Sequence, residues 1–309
     1  QIRHSITKMS YLHFCSTEVY KQRVIQMGES PHRVFNSGAP GVDNIINLQL
    51  LTKHELEAEL EWEFSSECAL FTYHPVTLEK TDIESDLDFI FNILSTFNFN
   101  ILFTYANADS GGRIINKNIE KFCIKNPKQY KVIKNLGQVK YLSAMKYVDL
   151  LIGNSSSGII EAASFKKPVI NIGRRQKGRD CGDSIIHLDY NKSEIINNID
   201  AILDNKLNMD DYLKNYPYVI ENTSQKIVSI LKCIDKSIII KSDNKSLNIA
   251  IIGGGGHSRV IIDALYESSE NIKIIGFYDD NINCEEYRNI KRLGKIDEIN
   301  NKDEIYYIC

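Results

Sequence analysis

The sequence predicts an α/β protein: a doubly wound parallel sheet, followed by a second, smaller strand–helix–strand unit. Three observations carry this. From Cys68 onward, short apolar runs alternate with longer amphipathic stretches. One of these crossings, in residues 149–180 (DLLIGNSSSGIIEAASFKKPVINIGRRQKGRD), joins an apolar strand to a helix through a loop of small polar residues. Near residue 248 the rhythm restarts with NIAIIGGGGHSRVIIDALYES and IKIIGFYDD, a strand, a Gly-rich turn, a helix, a strand and an acidic end.

In chain order, residues 1–35 read as a helix, a short strand-like YLHFCST and a second helix around 18–27. Ile2, Ile6, Met9 and Leu12 recur at helical spacing. Residues 36–61 read as a connection containing SGAPGVDN, then an acidic helix. Strands are expected at 68–74, 100–106, 130–134, 149–152, 168–172 and 184–188. Helices are expected at 82–97, 114–125, 140–147, 159–166, 193–204 and 223–234. Residues 236–247 read as a polar linker. The first residue is Gln and already lies in a helical pattern, while the final EIYYIC reads as a strand, so the chain is expected to be a piece of a longer polypeptide.

Composition narrows the function. The chain has 309 residues, 43% hydrophobic and 25% charged, with a net charge of -3. That is an ordinary globular balance, without the basic footprint of a nucleic-acid binder. No apolar run is long enough to span a bilayer and no signal peptide is visible, so no membrane partner is expected. The seven cysteines are scattered, the nearest pair being Cys284 and Cys309. That spacing argues against a zinc or redox motif, and it fits reduced thiols in a cytoplasmic protein.

Ligands of parallel sheets bind at the carboxyl ends of the strands. Three polar clusters fall there: His74, Asn107 to Asp109, and Asn154 to Glu161. Small residues at 153–158 let backbone approach a phosphate, and a helix start offers free N–H groups. Glu161, in the first turn, is placed to accept from a ribose diol. The segment therefore reads as a nucleotide-diphosphate clamp. Gly158 as N-cap with Glu161 behind it also suits an ordinary helix start. His74 stands before Pro75, which forces it out of helical conformation and to the sheet edge. A packed or solvated histidine fits that position as well as a catalyst does. Arg174, Arg175 and Arg179 follow the next strand and could neutralise a diphosphate, or form a solvated basic turn.

At this point a resemblance becomes specific. RHSITKMSYLHF, RVIQMGESPHRVFNSGAPGVDNI, YHPVT, IGNSSSGIIEAASFKKPVINIGRRQKGRD and ENTSQKIVSIL occur in that order. Together they resemble the hydrolysing UDP-N-acetylglucosamine 2-epimerases of sialic and legionaminic acid biosynthesis. The resemblance implies a GT-B-like fold. It divides the chain into the tail of an amino-terminal domain (1–35), a Rossmann-like UDP-binding domain (36–235), a linker (236–247) and a further unit (248–309). It implies that Ser155 and Ser156 bind diphosphate, that Glu161 holds the ribose, and that Asn154 and Gly158 belong to the same substrate-binding loop. Arg175 would face the nucleotide, with Asn107 and Asp109 at the rim. His74 would lie near the phosphate and sugar, Arg3 matches a position beside the family's catalytic carboxylates, and both are expected to be catalytic. The family eliminates UDP across C1 and C2, then hydrates the glycal with inversion at C2, without metal or cofactor. Its acidic catalytic residues lie upstream of RHSITK, so this chain alone is expected to turn over little.

Residues 248–309 resemble instead the amino-terminal domain of the sugar acyltransferases of sialic acid and bacillosamine pathways. That implies a partial Rossmann-like βαβ unit with a second nucleotide site at Gly253, Gly255, Gly256 and Asp279. Ser258 replaces the third fingerprint glycine, and His257 is expected to shape the turn. The acyltransfer site of that family lies further on, so no acyltransfer is expected here. The substrate is expected to be UDP-N-acetylglucosamine, with UDP-N,N'-diacetylbacillosamine open beside it. A GT-B glycosyltransferase, a non-catalytic UDP-sugar-binding module and a homodimer also stay open.

Overall fold

A computed structural model describes residues 2–64, 67–76, 82–204, 216–233, 247–253, 256–268, 272–280, 286–287, 289–299 and 306–308. In chain order the helices and strands are α1 (Ile2–Met9), β1 (His13–Cys15), α2 (Glu18–Gln26), β2 (Val34–Asn36), α3 (Pro40–Asn47), α4 (Lys53–Leu60), β3 (Cys68–Thr72), α5 (Ile83–Leu94), β4 (Asn100–Thr104), α6 (Gly112–Lys125), β5 (Tyr130–Ile133), α7 (Gly137–Tyr147), β6 (Leu150–Gly153), α8 (Ser156–Ile160), β7 (Val169–Ile172), β8 (Ile185–Leu188) and α9 (Lys192–Leu203). There follow α10 (Thr223–Cys233), β9 (Leu247–Ile252), α11 (Gly256–Ser268), β10 (Ile272–Tyr278), β11 (Glu286–Tyr287), β12 (Ile290–Gly294) and β13 (Tyr306–Ile308). Contacts divide the chain into two compact units, residues 48–216 and residues 1–47 with 217–309.

The 48–216 unit holds a six-stranded sheet in the order β5-β4-β3-β6-β7-β8, with every pair parallel. Buried on both faces, β3, β6 and β7 are continuous apolar runs rather than alternating ones. Strands β3 to β5 step one way across the sheet and β6 to β8 the other. The order therefore reverses between β3 and β6, the place where such sheets bind ligands. The core is aromatic on one side. Phe91 stacks on Phe122 at 4.4 Å, and Phe103 packs edge-on against both Phe122 and Tyr130. Truncating the fully buried Phe103 to Ala would cost about 3–5 kcal/mol. Helix α5 lies on this core because Leu87, Ile90, Phe91 and Leu94 recur on one face, and Asp82 caps its start by accepting from the Ser85 N–H at 3.2 Å.

The other unit has two parallel sheets in one compact body: β1 beside β2, and a five-stranded β11-β12-β10-β9-β13 sheet in which only β11 runs antiparallel. Here the sequence reading needs correction. SGAPGVDN is no connection; it holds the first turn of α3, with Pro40 as the first helical residue, a position where its missing N–H costs nothing. Asp43 of α3 accepts from the Thr223 and Ser224 N–H groups at 3.0 and 2.6 Å, capping α10. The Thr223 hydroxyl donates to the Ser37 carbonyl at 2.8 Å. These bonds join 36–47 to 217–233 within the unit of residues 1–47 and 217–309, so the division by contacts runs inside the expected 36–235 domain. Ile227 and Leu231 of α10 share a buried cluster with Ile249, Ile251, Ile261 and Phe277. Of the expected linker 236–247, all but Leu247, the first residue of β9, lies outside the described residues.

Candidate nucleotide-binding site

The site grows from the point where β3 and β6 end side by side. Gly153, the last residue of β6, has φ +134°, and a methyl group on it would stand 2.0 Å from the Thr72 carbonyl oxygen. Only glycine allows that approach. It brings Asn154 beside His74, the second residue after β3. The His74 N–H donates to Asn154 Oδ1 at 2.7 Å, and Asn154 Nδ2 donates back to the His74 carbonyl at 2.9 Å. Past β7, Arg175 Nη1 donates to the Asn154 carbonyl at 3.0 Å, and Gln176 Nε2 to the same oxygen at 2.6 Å. From the end of β4, the Asn107 N–H donates to His74 Nδ1 at 3.1 Å, while the Asn107 amide donates to Asp109 at 2.6 Å. Residues following four neighbouring strands thus converge.

The histidine's state follows from this geometry. A backbone N–H can only donate, so Nδ1 is an acceptor and the proton sits on Nε2. Burial first, and then the Arg175 charge, push the imidazole down to about 4; Asp109 opposes them only in part. At neutral pH His74 is a neutral N–H donor. Arg175 is also lowered by burial, with Arg179 adding to the effect, but a guanidinium stays charged. Arg174 is exposed, 3.6 Å from Asp189.

The loop after Asn154 differs from expectation in detail. Ser155, not Gly158, is the N-cap, its side chain accepting from the Ser157 N–H at 3.3 Å. Helix α8 is only five residues long, so its dipole is weak and the hydroxyls matter more. Gly158 is buried, and a methyl there would meet Val169 at 3.0 Å, so its lack of a side chain serves helix–strand packing. Glu161 sits at the joint between α8 and a 3-10 turn, Ala162–Phe165. Burial raises its carboxyl to about 7, and no hydrogen bond or ion pair to it occurs among the described residues. Near it the half-buried Tyr141 hydroxyl bonds Ser157 Oγ. Tyr141 and Gln176, 1% exposed, are supporting residues that sequence reasoning missed. Gln176 lies in the RRQ string, but nothing in the spacing singles out either one.

Arg3 belongs to the other unit, exposed on α1, where it lines a cavity of about 530 Å³ with Ile6, His13 and Asp280. In the Gly-rich turn, Gly253 has φ +99° and Gly256 opens α11; Gly255 and the His257 side chain lie outside the described residues. The Asp279 carbonyl accepts from Arg292 Nε at 2.7 Å, and the Asp280 carboxylate accepts from the Ile296 N–H at 3.1 Å. Among the described residues no cluster of side chains suits a metal, and no helix is long and apolar enough to cross a membrane.

Comparison with known proteins agrees with this architecture. Residues 1–232 match the UDP-N-acetylglucosamine 2-epimerase family model, and residues 248–309 match the PglD N-terminal domain. A Campylobacter jejuni GDP/UDP-N,N'-diacetylbacillosamine 2-epimerase (hydrolyzing) is 47% identical over 62% of this chain and 50% of its own length. The Escherichia coli polysialic acid biosynthesis protein P7 is 40% identical over 79% of this chain and 61% of its own. The chain thus spans about half to three-fifths of the length of these relatives. Among solved structures, S. aureus MnaA in a co-structure with UDP superposes with a TM-score of 0.59 at 16% identity, covering 77% of this chain and 64% of its own. A Methanocaldococcus jannaschii UDP-GlcNAc 2-epimerase in complex with UDP-GlcNAc and UDP gives 0.53 at 18%, covering 72% and 61%. These likenesses show the GT-B-like parallel α/β fold. By its sequence, this chain belongs to the UDP-N-acetylglucosamine 2-epimerase family, and its residues 248–309 are similar to the PglD N-terminal domain.

Proposed function

We propose that the 48–216 unit binds the uridine diphosphate of a UDP-sugar, and that the chain serves a hydrolysing UDP-sugar 2-epimerase of sialic acid-type sugar biosynthesis. The observation that carries this is the convergence of His74, Asn107, Asn154 and Arg175 where the strand order reverses, beside an enclosed, unpartnered Glu161. Arg175 supplies fixed positive charge for the diphosphate. Neutral His74 adds an Nε2–H donor, and the Ser155 and Ser156 hydroxyls add two more. Glu161 accepts from the ribose diol. When the C1–O bond breaks and the C2 proton leaves, negative charge grows on the departing diphosphate, and these groups stabilise it without a metal. Hydration of the resulting glycal gives the C2-inverted free sugar.

The sugar is UDP-N-acetylglucosamine in this reading. UDP-N,N'-diacetylbacillosamine is the second, favoured by the 47% identity to the C. jejuni enzyme of that name. Calorimetric titration of UDP tests the shared part. Saturable binding is expected, weakened roughly tenfold or more by Glu161→Ala, as suits a lost charged acceptor. Equal affinity in the variant would remove Glu161 from the site. Proton NMR with each UDP-sugar then separates the two substrates.

A further inference from the structure

We infer that Asn154 is a positioning residue which locks His74 and Arg175 into one fixed relation, and that it does not itself touch the ligand. The inference rests on the reading that His74 and Arg175 face the diphosphate. It assigns Asn154 a different task from the substrate contact expected of its loop.

Each of its polar groups has a partner. Its N–H donates to the Thr72 carbonyl at 3.0 Å. Its side-chain oxygen accepts from the His74 N–H and its side-chain nitrogen donates to the His74 carbonyl. Its own carbonyl accepts from Arg175 and Gln176, filling both lone pairs. The side chain is buried, 1% exposed, so no ligand atom reaches it. The amide orientation is unambiguous, because a backbone N–H must face the oxygen. The paired amide bonds act as one extra rung of sheet between the ends of β3 and β6, beyond the last register pair, Thr72 with Gly153. A rung of this kind fixes the His74 main chain, and with it the ring that Asn107 then orients. The same residue's carbonyl anchors the guanidinium. One residue, through its side chain on His74 and its carbonyl on Arg175, therefore sets the distance between a neutral donor and a cation that must meet the same diphosphate. A displacement of about 1 Å in such a pair is enough to lose much of its effect.

The test uses the full chain with Asn154→Ala and Asn154→Asp, read by UDP titration and by NMR titration of the His74 ring. In Asn154→Ala the ring is expected to titrate about one unit or more higher, towards an ordinary histidine, and UDP affinity to fall ~10-fold to ~100-fold. A ring titration identical to the parent's overturns the inference, whatever happens to UDP. Absence of UDP binding by the parent, with a shifted ring in the variant, would sink the nucleotide reading while leaving the positioning role intact. Asn154→Asp covers the case in which the alanine variant does not fold. Ionised, its carboxylate faces the His74 carbonyl and repels it; protonated, it restores the O–H donor and the acceptor. Its deficit in UDP affinity relative to the parent is therefore expected to be largest at pH 8 and to shrink towards pH 5. A deficit that is absent or independent of pH overturns the positioning role.

Discussion

Two strand–turn–helix crossings in this chain look alike on paper and differ in what they hold. At Gly153, the last residue of β6, and at Gly253, just after β9, a parallel strand gives way to a positive-φ glycine before a helix. In the first, the next residue, Asn154, ties its strand to His74, Arg175 and Gln176. In the second, the Gly253 N–H donates to the Tyr278 carbonyl at 2.6 Å, while the acidic end of β10 is engaged with main chain and side chain of 292–296. The turn is a shape that both share. What makes one of them a convergent polar site is which residues the neighbouring strands deliver to it.

Substitution of the two glycines breaks this comparison at its strongest point. Gly153→Ala places a methyl 2.0 Å from a main-chain oxygen that cannot move without moving β3. Among the described residues, Gly253→Ala meets the Ser258 hydroxyl at 3.2 Å, and it carries the cost of its φ. Denaturant unfolding is expected to show a loss of about 3 kcal/mol or more for the first, and about 1–2 kcal/mol for the second. Equal losses would mean that the Gly153 approach has no special role.

The next effect is on binding. Arg175→Ala removes a half-buried, anchored cation and is expected to lower UDP affinity by about 1.5–3 kcal/mol, measured calorimetrically. Arg174→Ala, at an exposed side chain facing Asp189, should stay within about 0.5 kcal/mol. If the two arginines exchange these ranks, the guanidinium at the diphosphate has been misassigned.

Glu161 sharpens the comparison through pH. Its folded carboxyl titrates at about 7, above the ordinary range. The folded state therefore holds its proton more tightly than the unfolded chain does, and the associated stability is full below the ordinary carboxyl range and lost as pH rises towards 7. Ribose hydroxyls donate to the ionised form, so UDP affinity is expected to climb as pH passes upward through about 7. Glu161→Gln should flatten that component of the profile. A profile of unchanged slope in the variant places the titrating group elsewhere.

Much of this was legible in the sequence, for identifiable reasons. The six strands of the 48–216 unit are apolar runs between polar breaks, and each lies within a residue or two of its expected bounds. His74, Asn107 and Arg175 were legible because they follow strands, where ligands of such sheets bind. The α3 helix was hidden because Pro40 and Gly41 read as loop residues, although proline suits a first helical turn. Gly158 was misread as a cap because serine spacing alone cannot say which of three successive serines starts the helix. The task of Asn154 could not be read at all, since its partners lie 80 and 21 positions away in sequence. A side chain that mimics a rung of sheet has no local signature.

The smallest expected effect separates two roles of one oxygen. Ser155 Oγ accepts from the Ser157 N–H, which caps α8, and its hydroxyl also interacts with Tyr141, so a phosphate would have to draw the hydroxyl proton from that partner. Ser155→Ala removes both functions and should cost about 0.5–1 kcal/mol of stability. Ser155→Gly should keep stability within a few tenths of a kcal/mol, because glycine is a tolerable cap, yet it removes the donor as completely as alanine does. Both variants are therefore expected to weaken UDP by a similar ~3-fold to ~10-fold, while only alanine lowers the unfolding midpoint appreciably. Parent-like UDP affinity in the glycine variant would leave Ser155 as a helix cap, and shift the anion-binding burden onto Ser156 and Arg175.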